Sequence, residues 1–390
     1  MLGILAVNVA GFAAPDSAVY SPDMPRAGVW QDHAAWLLTF VLFEGKMRAL
    51  FSVLFGASLL LLTERADAAG RNGARLQARR LAWLLAFGYL HFALIWDGDI
   101  LFLYAAIGFI ALALRRWQPR QWVTAAVLTG ALWQVWGAAQ WLPSLTAEGA
   151  VLAGTATPAV QRSHALDLAE FRKADARDQA EAKLSWPAQL QTKLANRADD
   201  PLDLVAYNWG ETLPWMLLGM ALLRTGFFAG EWPRRRLVQL AGAGLSLGGA
   251  VTLGFAFWAA RSHYPEVAMH FALSYGLALP HLAMALGYAA LLVLAAPHLL
   301  RWVPGQMLEA AGRMAFSNYL GTSLVMAALC YGWGFGLFGQ FGAAQRWTLV
   351  LLVWALILAW SQPWLTRYRQ GPLERLWRSL TEWRVLRFRR

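Results

Sequence analysis

The side chains able to do chemistry in this sequence sit inside apolar stretches. In LHFALIWDGDILFLYA, His91 precedes two carboxylates, Asp97 and Asp99, which flank Gly98. A carboxylate on one imidazole nitrogen orients the ring and raises the basicity of the other nitrogen, which is what a general base requires. Asp99 also suits the N-cap of the helix that follows. In FEGKMRALFSVLFGAS, the charges Glu44, Lys46 and Arg48 fall close together, and Glu44 and Arg48, four apart, share a helix face and are placed to pair. Lys46 points elsewhere and needs another partner. The competing reading is an interfacial elbow whose long side chains reach up to the headgroups. In YNWGETLPW, Asn208 and Glu211 share a helix face, with His270 at a comparable depth.

Ionisable groups within a membrane are costly, so they mark candidate sites. Their positions read as a single outward-facing polar pocket. In it, His91, Asp97 and Asp99 form a catalytic set, and Glu44, Lys46, Arg48, Asn208, Glu211 and His270 form a substrate-binding set. Ser317, Asn318, Tyr319, Thr322 and Ser323 lie deeper and read as interhelical hydrogen-bonding groups, worth about 0.6–2 kcal/mol each. Gly242, Gly244, Gly248 and Gly249 read as a helix-packing run, because no strand–turn–helix context surrounds them. The histidines are scattered and Cys330 is the single cysteine, so no metal set is expected. No Walker loop and no G-x-S-x-G element occurs.

The elements that carry these groups follow from composition. Of 390 residues, 58% are hydrophobic and only 15% charged. Soluble domains run nearer 45–50% apolar and about 25% charged. The expected fold is therefore all-α, a polytopic integral membrane bundle of about ten helices with a cytoplasmic C-terminus. Full crossings are expected over Trp36–Leu62, Leu81–Trp96, Ile100–Leu114, Trp122–Leu142, Leu204–Phe228, Leu237–Ala260, Ala268–Ala296, Met307–Tyr331 and Trp347–Leu365. Met1–Ala14 is too short to cross and lacks the basic flank of a signal peptide, so it reads as a first helix without its cytoplasmic half.

Four regions result. Residues 1–142 form an N-terminal transmembrane half, and 143–203 an outer loop with surface helices. Residues 204–366 form a C-terminal transmembrane half, and 367–390 a basic tail. In the loop, the part through Gly149, Gly154 and Pro158 reads as irregular, and Asp167–Ala195 as helix broken at Pro187.

Charge sets the orientation. Lys and Arg crowd into Glu64–Arg80, Arg115–Arg120, Arg224–Arg236, Arg301–Arg313 and the tail, while the alternate short loops hold only Arg26, Arg261 and Arg346. The positive-inside rule puts the crowded loops in the cytoplasm. The net charge of +11 is then explained by anionic lipid headgroups at that face, and nucleic acid is not an expected partner.

The stretches LGILAVNV, EGKMRALFSVLFGAS, LHFALIWDGDILFLYA, GRMAFSNYLGTS and GPLERLWRSLT resemble the bacterial YeiB-like inner-membrane family, whose C-terminal half defines domain of unknown function 418. The likeness runs from the first residue to the tail. An Arg/Asp–Leu-Arg-Gly element usual ahead of LGIL is absent, Thr322 stands where Gln is common, and Arg375 replaces a usual Trp. The resemblance implies a multi-pass protein of the bacterial cytoplasmic membrane. It also suggests a distant similarity to transmembrane acyltransferases, in which an embedded His serves as base or acyl carrier; His91 is the positional candidate. Three functions are weighed. The first is acyl transfer to an acceptor at the periplasmic face, with acyl-CoA as donor. The second is transport or export of a small solute, and the third a non-catalytic membrane scaffold.

Overall fold

The computed structural model describes residues 2–389; Met1 and Arg390, which end the first apolar stretch and the basic tail, lie outside the described residues. Among these residues every regular element is helical, apart from an isolated bridge between Tyr368 and Arg389. α1 (Leu2–Ala13) and the short α2 (Ser17–Tyr20) precede α3 (Trp30–Leu42) and α4 (Lys46–Ala68). α5 (Gly73–Leu94) and α6 (Leu101–Ala113) form a tight hairpin. α7 (Pro119–Leu152), α8 (Pro158–Ala182) and α9 (Trp186–Asn196) lead to α10 (Asp200–Arg224). Next come α11 (Arg234–Arg261), α12 (Glu266–Phe271), a π turn (Ala272–Gly276) and α13 (Ala278–Leu299). The chain continues with α14 (Val303–Arg313), α15 (Ala315–Cys330), α16 (Ala343–Arg367) and α17 (Pro372–Glu382).

Among the described residues, four stretches are long and apolar enough to cross a bilayer: Trp30–Ala68, Arg234–Arg261, Ala278–Leu299 and Ala343–Arg367. Leu2–Ala13, Leu101–Ala113 and Ala315–Cys330 are shorter apolar helices. Large apolar side chains such as Leu128, Leu247 and Leu356 are more than 60% exposed. Only a hydrocarbon solvent makes such an outer surface stable, so this is the fold of a helical membrane protein.

Three expected crossings are interrupted. Trp36–Leu62 breaks between α3 and α4 at Gly45, whose φ of 71° suits glycine. A Cβ there would lie 1.9 Å from His281 Nδ1. Ala268–Ala296 is interrupted by the π turn, and Met307–Tyr331 by a fresh helix start at Ala315. Hydropathy is blind to these breaks because both flanks of each are apolar. The outer loop is also more helical than expected. α7 runs past Pro143 to Leu152, and the break between α8 and α9 falls ahead of Pro187, which sits in the first turn of α9.

Glycines set the closest approaches. A Cβ on Gly56 would lie 2.0 Å from Met216 O, and one on Gly219 1.9 Å from Val53 O, so α4 and α10 meet backbone to backbone. α11 meets α13 in the same way, through Gly244 and Gly248 against Ala283 O and Pro280 O. Gly242 and Gly249 face open space, so only half of the glycine run does the packing expected of it. Gly244→Ala therefore costs about 1–3 kcal/mol through overpacking, read as a lower melting temperature in detergent. Gly242→Ala on the same helix leaves that temperature unchanged, and equal effects at the two positions contradict the packing assignment.

Candidate active site

The WDGDIL loop closes the α5–α6 hairpin, and its acids divide the work. His91 Nδ1 lies 2.7 Å from Asp99 Oδ1, with both side chains buried. The second oxygen, Oδ2, accepts from Phe102 N at 2.8 Å, the N-cap role expected of Asp99. Both carboxylate oxygens are thus engaged, and the contact places a proton on Nδ1. Nε2 is left as the basic nitrogen, buried and without a hydrogen-bond partner. Asp97 instead pairs with Arg197 at 3.1 Å.

The end of the bundle carrying α8 and α9 corresponds to the outer face of the sequence reading. These helices lie across the hairpin: Trp186 Nε1 donates to Leu94 O and Lys193 Nζ to Phe92 O, at 2.8 and 3.1 Å. Arg197 gathers Asp97, Glu181 and Asp200. Burial works against ionisation of Asp97, but Lys193 and Arg197 hold its carboxyl below the usual range. Beneath the two helices lies a pocket of about 280 Å³, lined by Asp16, Trp96, Asp97, Gly98, Lys193 and Tyr331 among others.

A second cavity, of about 480 Å³, lies toward the other end of the bundle. Its walls are mostly apolar, from Phe51, Leu81, Leu84, Leu101 and Phe316, with Tyr104 and Tyr319 contributing hydroxyls. The hairpin loop partitions the two spaces. Trp96, Asp97 and Gly98 line the outer pocket, Ile100 and Leu101 line the inner cavity, and Asp99 stands between, on His91. The His91 ring lies between aromatic groups from both sides, 6.3 Å from Trp96 and 5.2 Å from Tyr319 by ring centroids. The Tyr319 hydroxyl is buried and makes no hydrogen bond. The sequence reading gave Tyr319 only an interhelical role; its presence in the shared GRMAFSNYLGTS stretch was the one available signal.

The expected single pocket does not form. Glu44, Lys46, Arg48 and Glu211 gather elsewhere, around the break at Gly45, and pair or contact backbone there. Arg48 pairs with Glu211 at 3.1 Å, not with Glu44, because the break puts Glu44 outside the helix that carries Arg48. Arg48 also donates to Leu273 O in the π turn at 3.2 Å. Lys46, fully buried, donates to Phe40 O at 2.7 Å, and Glu44 accepts from Gly45 N. Asn208 donates to Leu204 O within its own helix. His270 bonds Glu266 O and stacks between Tyr20 and Phe171, a packing role. None of these six lines either cavity beside His91. Among the described residues no group of three or more His, Cys, Asp or Glu is placed to hold a metal.

A further device joins two distant motifs. Glu374, in GPLERLWRSLT, accepts from Phe316 N and Ser317 N at 2.8 and 3.0 Å and also engages the Ser317 hydroxyl. It thereby caps the start of α15. Trp377 donates to Arg80 O while the Arg80 guanidinium stacks on its ring at 4.4 Å. α17 is therefore pinned beneath the inner cavity, which both Glu374 and Trp377 line.

Removing one partner of a buried ion pair costs far more than removing both. Arg48→Met strands the Glu211 carboxylate and lowers stability by about 3 kcal/mol. Adding Glu211→Leu recovers most of that loss, as measured by thermal denaturation in detergent. Additive losses show that the two side chains do not interact.

The family model described as Protein of unknown function (DUF418) matches residues 222–384. The chain is 30% identical to Uncharacterized protein YeiB of Escherichia coli (strain K12) over 388 residues, covering 98% of this chain and 93% of that one. It is also 30% identical to Uncharacterized protein YxaH of Bacillus subtilis (strain 168) over 402 aligned positions, covering 98% and 91%. Over 113 residues, 29% of this chain and 30% of the relative, it is 37% identical to the Uncharacterized 39.9 kDa protein in amylase 3'region of Bacillus acidopullulyticus. No solved structure matches the chain. With identity sustained along almost its whole length and the DUF418 region in its C-terminal half, the chain belongs to the YeiB-like family.

Proposed function

We propose that this protein is an acyltransferase of the bacterial cytoplasmic membrane, with its reaction centre at His91. The observation that carries the reading is the buried His91–Asp99 pair at 2.7 Å, whose outer nitrogen has no partner. A structural pair would have both ring nitrogens satisfied, whereas a general base needs one nitrogen anchored and the other free. The position of the pair between a polar outer pocket and an apolar inner cavity supports transfer of an apolar group to a polar acceptor.

In this reading the acceptor occupies the outer pocket and the donor is an acyl thioester such as acyl-CoA. His91 Nε2 takes the proton of the acceptor hydroxyl as its oxygen attacks the acyl carbonyl. A C–O bond forms, the C–S bond breaks, and the proton passes from Nε2 to the departing thiolate. Asp99 holds the ring and stabilises the imidazolium that forms. The unpartnered Tyr319 hydroxyl is the nearby donor for the developing oxyanion. The cytoplasmic C-terminus and the contact of the basic tail with anionic headgroups follow from the charge distribution and belong to the same proposal.

Transport of a small solute is the second reading. It draws on the ion cluster around Gly45, where a broken helix and a π turn adjoin buried charges, as in discontinuous-helix transporters. The pairing of Arg48 with Glu211 and the backbone contacts of Glu44 and Lys46 count against it.

The test offers labelled acyl-CoA and a periplasmic glycan fraction to the protein in proteoliposomes. Label moves to the glycan. His91→Ala abolishes the transfer and Asp99→Asn lowers kcat by about 10²–10⁴-fold, the range of general-base loss. Tyr319→Phe lowers kcat with little change in KM. Full activity in folded His91→Ala overturns the assignment, and solute accumulation without label transfer favours the transport reading.

A further inference from the structure

The inner cavity is larger and more apolar than a small acyl group requires. Phe51 and Leu62 both line it and are eleven residues apart on α4, about 16 Å of helix. That is about half of a ~30 Å hydrocarbon layer, the depth one leaflet's lipid tails fill. Its volume of about 480 Å³ falls within the range of sites that enclose a whole ligand. Near the loop the cavity ends at Ile100, Leu101 and Tyr319, the residues beside the His91–Asp99 pair. At the far end Trp377 and Glu374 of α17, with Gln77, Arg80 and Arg313, bound it and make that end polar. The Glu374 carboxylate is occupied in capping α15, so this end is held in place. Leu54 and Ser58 on its wall are exposed, which leaves the cavity open to its surroundings along α4.

We propose that this cavity is a binding site for a single fatty acyl chain. The carbonyl end of the chain lies at Tyr319, whose ring packs on His91, and its methyl end lies among Leu62, Leu81 and Phe316, short of the polar groups near α17. The inference rests on the acyl-transfer reading for what becomes of the chain, and on the cavity alone for its binding. It makes the transferred group a long chain, with α17 as the stop that limits its length. The chain can arrive as a long-chain acyl-CoA or as the tail of a phospholipid. Both present the same apolar chain behind a carbonyl.

The test uses the full chain in nanodiscs and palmitoyl probes with a diazirine near the methyl end, one as the CoA thioester and one in phosphatidylglycerol. Saturable crosslinks are expected on Leu62, Leu81, Phe316 or Trp377, and whichever probe gives them identifies the source. Ser58→Trp, which fills the middle of the cavity, reduces this labelling at least tenfold. Leu84→Phe serves as a second filling variant should the first not fold. His91→Ala retains the labelling, which separates binding from chemistry. In the transfer assay palmitoyl is preferred over acetyl at least tenfold in kcat/KM, and both filling variants shift the preference toward octanoyl.

Unsaturable labelling that the filling variants leave unchanged shows annular lipid only and overturns the proposal. Transfer that prefers acetyl, with no cavity labelling, overturns it while leaving the acyl-transfer reading intact. Saturable labelling without any transfer supports the chain site and removes the transfer reading.

Discussion

The carboxylate of Asp99 is the constraint on which the rest of the site depends. A charge buried at the end of a helical hairpin is tolerated only when its oxygens are satisfied from within the chain, since lipid offers no donor. One oxygen takes the His91 ring and the other takes the first free amide of α6. The loop between α5 and α6 therefore has little freedom. Gly98 is pressed against the Trp96 ring, and Trp96 in turn stacks on Phe12 of α1 at 3.9 Å. A single acid fixes a loop, a tautomer and the wall between two cavities.

The two polar centres of the bundle obey the same rule with different results. Around Gly45, two cations and two carboxylates balance, and each charge has a partner or a backbone contact, while the buried His281 ring that abuts Gly45 has neither nitrogen hydrogen-bonded. Such a cluster is a tie between α4, α10 and the π turn. Around His91 the demand is met on one side of the ring only. Nε2 is left without a partner, as is the hydroxyl of Tyr319, which lines the inner cavity. An unsatisfied buried group costs about 1–3 kcal/mol. That cost is characteristic of a binding or reacting position and out of place in a packing contact.

Much of the bundle was legible because hydrocarbon imposes a length and a polarity on every crossing. The hairpin at Asp97–Asp99, the apolar stretches and the proximity of His91 to a carboxylate all followed from local spacing. What stayed hidden was long-range or backbone-borne. Nothing in FEGKMRALF announces that Gly45 is left-handed, so Glu44 and Arg48 seemed to share a face when the break separates them. The partner of Arg48 is Glu211, 163 positions away. His270 had the depth expected of a pocket residue, yet its ring is enclosed by Tyr20 and Phe171, whose proximity no pattern reveals. The adjacency of Tyr319 to His91 is of the same kind.

The shared motifs make physical sense once they are placed in space. WDGDIL is the partition, and GRMAFSNYLGTS carries Tyr319 at its face. GPLERLWRSLT, near the end of the chain, supplies Glu374 to the amides that open α15. Gly371 is needed there because a Cβ would lie 2.0 Å from Glu374 Oε2 and 2.7 Å from Ser317 Oγ. The helix that presents Tyr319 therefore begins where the tail allows it to begin. Without the Glu374 cap, α15 loses the acceptor for its first amides, in a region where water is scarce. Only one turn separates that cap from Tyr319, so an anchor outside the apolar bundle sets the position of a side chain beside His91. The tail thus helps to position the side chains packed on His91.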